Sequence, residues 1–316
     1  MKNYSIALFG SLLRKDFDKY SDKDLLIVSD SYKNIKGLKA KYESKGISVT
    51  FYTYTKLEFL SFKESLFIEH LKREAHLLFD ADNRLANLLL NTPPITSSHD
   101  RLAEAKEYFQ PFEFIPSSTV GFGWYCDTFY VGFRNYLINL SALKGNYKFS
   151  FMDLIEEAYK DKQIDKNEFE MLRQLRVIKR NYRTKHFDEL PSTSYMQDLS
   201  AFIQRMGFLK KTRTVVDAQI GDIVKPRLMD AGLNYYQKLR LIEIYYYSSK
   251  VNIPDIENLI CNPNCYAFIL KNEKFIKEKA EQIDRYKNGT QQSVPAIRAD
   301  IASIVFSANP SFGFSG

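Results

Sequence analysis

Cysteine is scarce in this chain, which has three cysteines among 316 residues. Cys126 lies far from the other two, and Cys261 and Cys265 enclose the turn-like segment CNPNC, with no histidine or second cysteine pair nearby. Three cysteines cannot build a disulfide framework, and a structural zinc site normally takes four ligands. We therefore expect a protein of a reducing compartment, with an ordinary turn at CNPNC rather than a zinc site.

The sequence also lacks long apolar runs. A membrane-spanning helix needs about 20 consecutive apolar residues, and no stretch of the chain reaches that length. The opening MKNYSIALFGSLL meets the charged residues Arg14, Lys15 and Asp16 and has no small-residue cleavage site. We expect no membrane partner and a cytoplasmic location.

Charge of one sign does not dominate the composition. The net charge is +7, charged residues make up 26% and hydrophobic residues 45%, and aromatic residues reach 15%. These values are typical of a soluble globular chain with a well-filled interior, long enough for two domains. The mild positive charge permits contact with nucleotides or nucleic acid without requiring either.

The first 90 residues alternate between strand and helix patterns. YSIALFG (4–10) and DLLIVSD (24–30) are typical of buried strands, and ISVTFYTY (47–54) is rich in β-branched and aromatic residues. YKNIKGLKAKYESKG predicts a helix that stops at Gly46, KLEFLSFKESLFIEHLKREA predicts a continuous helix, and HLLFD predicts a fourth strand. The pattern favours a small mixed α/β domain over residues 1–90.

The remainder of the chain is predicted to be mainly helical. NTPPITSSHD (91–100) is rich in turn residues and predicts a linker. We expect a helical bundle over 101–207 and a further helical region over 208–316 that ends in a loosely held tail. The clearest helices are 123–143, 150–161 and 165–185, and Asp165 with Glu168 forms a capping pattern for the last of these.

The stretch FGSLLRKDFDKYSDKDLLIV (9–28) carries the clearest chemical pattern. If DKDLLIV is a strand, the side chains of Asp22 and Asp24 point to the same side. Adjacent carboxylates repel each other unless a cation lies between them, which predicts Mg²⁺. Gly10 allows a tight turn, and the amides behind Gly10 and Ser11 can hold a phosphate. The pattern predicts a nucleoside triphosphate placed for attack at its α-phosphorus; the alternative is a polar turn whose aspartates cap a hairpin.

This pattern resembles the nucleotidyltransferase fold shared by DNA polymerase β, the kanamycin nucleotidyltransferases and the small bacterial minimal nucleotidyltransferases. Their signature is Gly-Ser, a spacer and Asp-x-Asp, and here ten residues separate Gly10-Ser11 from Asp22-Lys23-Asp24. Arg14 and Ser21 also match, and the resemblance covers residues 4–90.

The resemblance implies a set of site residues. Asp22 and Asp24 would be the catalytic metal ligands, for Mg²⁺ or Mn²⁺. Gly10, Ser11 and Arg14 would contact the nucleoside triphosphate, with ATP as the expected nucleotide. Lys72 joins this set because HLKREAHLLFD resembles a stretch late in these domains.

One feature of the family pattern is missing. The family carries a third carboxylate on a later strand, and here the corresponding positions hold Ser48 or Thr50. A neutral hydroxyl cannot replace a carboxylate as a general base at neutral pH. Three readings stay open: an acid from elsewhere reaches the site, with candidates Glu58, Glu69 and Glu74; turnover is weakened; or the domain only binds nucleotide.

The helical part of the chain resembles HEPN domains, helical bundles that often accompany minimal nucleotidyltransferases. FRNYLINLSAL and LRQLRVIKRNYRTKHF resemble their two central helices, and Arg180-Asn181 followed by His186 fits their ribonuclease signature. The resemblance implies catalysis by Arg180 and His186 in metal-independent RNA cleavage, and a homodimer through the helical region. On an unbroken helix these two residues point about 240° apart, so they converge only if the helix ends between them or two chains meet. A solvated basic helix end is the alternative reading.

The sequence thus predicts an α/β nucleotidyltransferase domain followed by an all-α, HEPN-like region. The favoured function is Mg²⁺-dependent transfer of a nucleoside monophosphate to a protein, RNA or small-molecule acceptor, in a toxin–antitoxin or phage-defence setting that the resemblance implies. The alternatives are a HEPN-type ribonuclease regulated by the first domain and a non-catalytic nucleotide-sensing module.

Overall fold

The computed structural model describes residues 3–14, 23–93, 95, 99–215, 217–261 and 273–289. Within these ranges the chain divides into two compact units. The first contains the described residues up to 104 together with 136–163, and the second contains 105–135 and the described residues from 164 onward. The first unit therefore takes in a segment that is distant in sequence from its amino-terminal part.

A four-stranded sheet forms the centre of the first unit. The strands are β1 (Tyr4–Phe9), β2 (Asp24–Ser29), β3 (Ser48–Tyr52) and β4 (His76–Asp80), in the order β3-β2-β1-β4. β1 runs antiparallel to both of its neighbours, whereas β2 and β3 are parallel. The predicted mixed sheet is confirmed.

Helices cover the two faces of this sheet. On one face, α1 (Lys36–Glu43) packs over buried Leu25 and Ile27 of β2. The opposite face carries Leu26 and Val28 and packs against three helices: α2 (Tyr54–Phe62), α3 (Leu66–Glu74) and α4 (Arg84–Asn91). Successive side chains of β2 thus fill both layers, which explains its nearly continuous apolar run.

The helix predicted over KLEFLSFKESLFIEHLKREA is two helices, and this prediction is wrong. The chain leaves α2 after Phe62, and Glu64 adopts a positive φ of 51°. The Ser65 side chain then accepts a hydrogen bond from the amide of Phe67 and caps α3. A left-handed residue followed by a serine cap ends one helix and begins another.

The second unit is mainly helical. Helices α5 (His99–Glu107) and α6 (Thr119–Leu143) each contain residues of both units, and α7 (Phe151–Lys160) belongs to the first unit. The other helices among the described residues are α8 (Lys166–Arg183), α9 (Thr193–Arg205), α10 (Asp217–Leu228), α11 (Tyr235–Ser248), α12 (Pro254–Cys261) and α13 (Glu273–Lys287). Strands β5 (Phe114–Pro116) and β6 (Arg213–Val215) pair in parallel and were not predicted.

One local prediction for the helical part, the capping pattern of α8, is confirmed. Asp165 and Glu168 form a reciprocal capping box at the start of α8, with hydrogen bonds of 2.9 Å in both directions.

Cys126 is buried in α6 as a free thiol. The Cys261 side chain, Cys265 and the expected loose tail from about residue 288 onward lie largely outside the described residues. Among the helices that the structure describes, none combines the length and apolar character needed to cross a bilayer.

Candidate nucleotide site

The Gly10 turn, Asp24 and Ser48 lie at one end of the sheet. β1 ends where β2 begins, because Phe9 pairs with Asp24. Asp24 in turn pairs with Ser48 at the start of β3, and Leu8 pairs with His76 at the start of β4. The turn after β1, the Asp24 carboxylate and the Ser48 hydroxyl therefore lie side by side, as the strand predictions required.

Gly10 brings this turn close to the Asp24 carboxylate. Gly10 is buried, has a φ of 76° and begins a short 3-10 helix over Gly10–Leu13. A Cβ atom built on Gly10 would lie 3.3 Å from Oδ2 of Asp24. The positive φ favours glycine at this position. A methyl group at position 10 would also press on the Asp24 carboxylate, which would have to shift by a few tenths of an ångström.

Replacing Gly10 by Ala tests this arrangement. The left-handed conformation should cost about 1–2 kcal/mol for any residue with a Cβ, and the added methyl should push the Asp24 carboxylate out of position. We expect a lower midpoint of urea unfolding and weaker Mg²⁺–nucleotide binding. Gly46→Ala is the matched control, because Gly46 also has a positive φ of 72° but has nothing within 4 Å of its added Cβ. Equal nucleotide affinity in the two variants would contradict a special role for Gly10.

The third carboxylate of the family pattern has a hydroxyl in its place. The parallel register pairs Asp24 with Ser48 and Leu26 with Thr50, so both hydroxyl residues lie on the sheet face of Asp24. Across the part of the chain that the structure describes, no group of three or more His, Cys, Asp or Glu residues could hold a metal ion. Asp22, the second predicted ligand, lies outside the described residues.

Glu58 and Glu69 differ in their surroundings. Glu58 is exposed on α2. Glu69 is buried on α3 and is engaged by Arg73 at 2.5 Å and by Lys72 at 3.9 Å. Lys72, predicted to contact nucleotide, also donates a hydrogen bond to the carbonyl of Thr92 at 3.1 Å. Its role toward nucleotide stays a prediction.

Glu74 is linked to the Gly10 turn through Arg14. Nη1 of Arg14 is 2.7 Å from Oε2 of Glu74, and Nε2 of His70 is 3.0 Å from the same oxygen. Burial raises the pKa of Glu74, but the hydrogen bond and charge of His70 and the charge of Arg14 outweigh it, so the pKa lies below its ordinary value. Glu74 thus contacts both Arg14 and His70 as a carboxylate, and its role as the general base stays a prediction.

His70 and His76 are six residues apart, which is not a metal-ligand spacing on a helix, and the sequence predicts both as surface residues; for His70 this prediction is wrong. The residue is only 8% exposed and its ring stacks on Phe149 at 4.4 Å. The i, i+4 spacing of His70 and Glu74 on α3 was a readable signal for their mutual contact. The contacts with Arg14 and Phe149 come from distant parts of the chain, and no local pattern indicates them.

The residues that match the HEPN ribonuclease signature, Arg180, Asn181 and His186, lie at the carboxyl end of α8. The helix ends between Arg180 and His186: Thr184 is the C-cap and Lys185 adopts a φ of 60°. The amide of His186 donates to the carbonyl of Asn181 at 2.8 Å, which closes a Schellman turn. The His186 side chain is exposed, and its Nδ1 is 2.6 Å from the hydroxyl of Thr184. The geometric condition for Arg180 and His186 to converge within one chain is therefore met, while their catalytic role stays a prediction.

Comparison with known proteins gives one finding. No curated protein and no solved structure matches this chain. The nucleotidyltransferase domain resemblance has independent support, whereas the HEPN resemblance has none beyond the helical character of the second unit. Residues 1–73 match the model of the nucleotidyltransferase domain family, a stretch that contains the Gly10 turn, Asp22 and Asp24.

Proposed function

We propose that the protein transfers a nucleoside monophosphate from a nucleoside triphosphate to an acceptor, with Mg²⁺ as cofactor. The main support is the position of the Gly10 turn beside the Asp24 carboxylate, inside the region that matches the nucleotidyltransferase model. An acceptor oxygen attacks the α-phosphorus and forms a new P–O bond. The bond from that phosphorus to the bridging oxygen breaks, pyrophosphate leaves, and the acceptor's proton passes to a base.

The residues present fit a hard divalent cation. Carboxylate oxygens are the protein ligands that Mg²⁺ prefers, and Asp24 with Asp22 would supply them. When bound, Mg²⁺ polarises phosphoryl oxygens and neutralises charge that develops during transfer. The backbone amides around Gly10 and Ser11 would hold phosphate oxygens, and Arg14 would add a positive charge.

The acceptor is a protein side chain, an RNA end or a small molecule. The helical second unit would determine the specificity for the acceptor, because the small nucleotidyltransferase domain has little surface left for acceptor recognition. The toxin–antitoxin or phage-defence setting follows from the resemblance to minimal nucleotidyltransferases and HEPN domains.

One incubation separates the three functional readings. The protein is mixed with Mg²⁺ and each α-³²P-labelled nucleoside triphosphate in turn, with and without total RNA. Covalent label on RNA, on protein or on a small molecule supports transfer and identifies the acceptor class. RNA cleavage without nucleotidyl transfer supports the ribonuclease. Tight binding of a nucleoside triphosphate without either reaction supports the nucleotide sensor. The hydroxyls of Ser48 and Thr50, in place of a third carboxylate, favour the sensor.

The ribonuclease reading is a second candidate because α8 ends between Arg180 and His186. In that reading His186 moves a proton and Arg180 stabilises the charge on phosphorus. In the competing reading the helix end binds an acceptor by charge alone, and that is the outcome we expect.

Two variants distinguish proton transfer from charge at this helix end. Lys185 is 61% exposed and 3.5 Å from Glu257, so Lys185→Glu reverses an accessible charge. We avoid Arg183 because it pairs with Asp127 at 2.8 Å. We expect Lys185→Glu to weaken RNA binding, measured by fluorescence anisotropy, and His186→Ala to change it little. EDTA-resistant RNA cleavage that falls by about 10²–10⁴-fold in His186→Ala would contradict this expectation.

A further inference from the structure

We propose that Phe149, His70 and Glu74 form a positioning relay that fixes Arg14 against the triphosphate. The proposal rests on the proposed function, because Arg14 has a ligand only if the Gly10 turn binds phosphates. It assigns a role to a segment of the chain, around Phe149, that lies outside the residues matching the nucleotidyltransferase model.

The first step of the relay is the bond between Arg14 and Glu74. Arg14 directly follows the short helix Gly10–Leu13, and Glu74 is the last residue of α3. Their charged groups are 2.7 Å apart, and both side chains are only 18% exposed. A guanidinium carries its N–H donors in one rigid plane. Anchoring one nitrogen on a partly buried carboxylate therefore sets the direction of that plane beside the turn.

The second step is the bond between Glu74 and His70. The same oxygen, Oε2, receives both Arg14 and His70, so the position of this atom is fixed from two directions. His70 lies one turn earlier on α3. A buried imidazole that holds the carboxylate restricts its rotamers and thereby restricts Arg14 as well.

The third step is the stack of Phe149 on His70. The ring centroids are 4.4 Å apart with an interplanar angle of 16°, and Phe149 is 2% exposed. The same segment also contacts α3 through Tyr147, whose ring lies 4.4 Å from the guanidinium of Arg73, and its hydroxyl donates to the carbonyl of Ile95 at 2.6 Å. Ser150 then caps α7, which fixes the end of the segment.

The relay should affect the binding of a nucleoside triphosphate but not that of a nucleoside monophosphate. An oriented Arg14 should contact the β- or γ-phosphate, since the α-phosphorus must remain open to the acceptor. Loss of the relay should weaken binding of a triphosphate and leave binding of a monophosphate nearly unchanged. A purely structural role would lower both affinities together.

The test measures Kd for Mg²⁺–ATP and for AMP by calorimetry in wild type and variants, with the other three nucleoside triphosphates as alternatives if ATP is not bound. For Glu74→Ala we expect ATP affinity to fall roughly 10–100-fold, the range for a charge-assisted hydrogen bond, with AMP affinity unchanged. Glu74→Gln keeps a hydrogen-bond acceptor for Arg14 and should retain part of the affinity. Arg14→Gln added to Glu74→Ala should cause little further loss, because the two residues act as one unit.

Phe149 has a matched control in the same segment. Phe149→Ala should weaken ATP binding in the same direction, and Phe149→Tyr should restore it, because the stack on His70 is kept. Tyr147→Ala removes a neighbouring contact with α3 that does not involve His70, and should leave the ratio of ATP to AMP affinity unchanged.

The outcomes separate the relay from the function on which it rests. Wild-type protein that binds no nucleoside triphosphate would overturn the proposed function and the relay together. If wild-type protein binds ATP, and the ratio of the Kd values for ATP and AMP is the same in Glu74→Ala and Glu74→Gln as in wild type, the relay alone would be overturned. Tighter ATP binding in Glu74→Ala would also overturn it, since Glu74 would then compete with phosphate for Arg14.

Discussion

The variant carrying both Asp22→Asn and Asp24→Asn should show no rise in melting temperature when Mg²⁺ and a nucleoside triphosphate are added. In wild type, ligand at about 100 times its Kd stabilises the folded state by about 2.7 kcal/mol. For a unit of this size that corresponds to roughly 5–10 °C. Asparagine has nearly the same shape but no charge, so it removes the attraction for the cation. Differential scanning fluorimetry with and without Mg²⁺ measures the effect.

Asp30→Asn is the matched control for this variant. Asp30 follows β2 at its opposite end and pairs with Arg84 at 2.8 Å. It has the same chemistry as Asp24 but lies away from the Gly10 turn. We expect Asp30→Asn to keep the full Mg²⁺-dependent shift. A double variant at Asp22 and Asp24 that keeps the shift would remove the proposed metal site.

Glu243→Leu should destabilise the second unit by about 3–5 kcal/mol, the usual cost of breaking a buried ion pair from one side. Glu243 is 1% exposed; it accepts a hydrogen bond from Nε1 of Trp124 at 2.8 Å and is 2.9 Å from Nη2 of Arg240. Burial raises the pKa of Glu243 to about 7, although the Arg240 guanidinium opposes the shift. Removing the carboxylate leaves a buried guanidinium that cannot release its proton. Urea unfolding monitored by circular dichroism measures the loss.

The reverse variant should be milder. Arg240→Met removes the cation beside Glu243, but a buried carboxyl can take up a proton and become neutral. The combination Arg240→Met with Glu243→Leu should recover most of the stability, because an apolar pair of similar volume replaces the ion pair. Equal losses in Glu243→Leu and Arg240→Met would show that the buried charge of Arg240 is not the main cost.

The sheet, and with it the position of Asp24 beside the Gly10 turn, could be predicted because the signals are local. The apolar runs before Gly10 and after Asp24 define β1 and β2, and the spacing between them places the turn beside the carboxylate. The observed pairing of Phe9 with Asp24 agrees with that prediction. Capping at Asp165 is equally local, because its two bonds join residues three apart.

The remaining features depend on contacts between distant parts of the chain. Phe114 pairs with Arg213 in the small parallel sheet, and neither segment alone has enough residues to indicate a strand. The burial of His70 depends on Phe149, which lies in a segment predicted as part of a separate helical bundle. The break between α2 and α3 depends on the left-handed conformation of Glu64, which a glutamate seldom adopts.

Transfer of the nucleoside monophosphate is tested by asking which phosphate of the nucleoside triphosphate becomes attached to an acceptor. The protein is incubated with Mg²⁺ and total RNA plus cell extract as acceptors, using one nucleoside triphosphate labelled either at the α- or at the γ-phosphate. We predict that α-label becomes covalently attached to an acceptor, that γ-label leaves as pyrophosphate, and that both signals vanish in Asp24→Asn. Attachment of γ-label to the acceptor, or α-label transfer that persists in Asp24→Asn, would contradict this prediction.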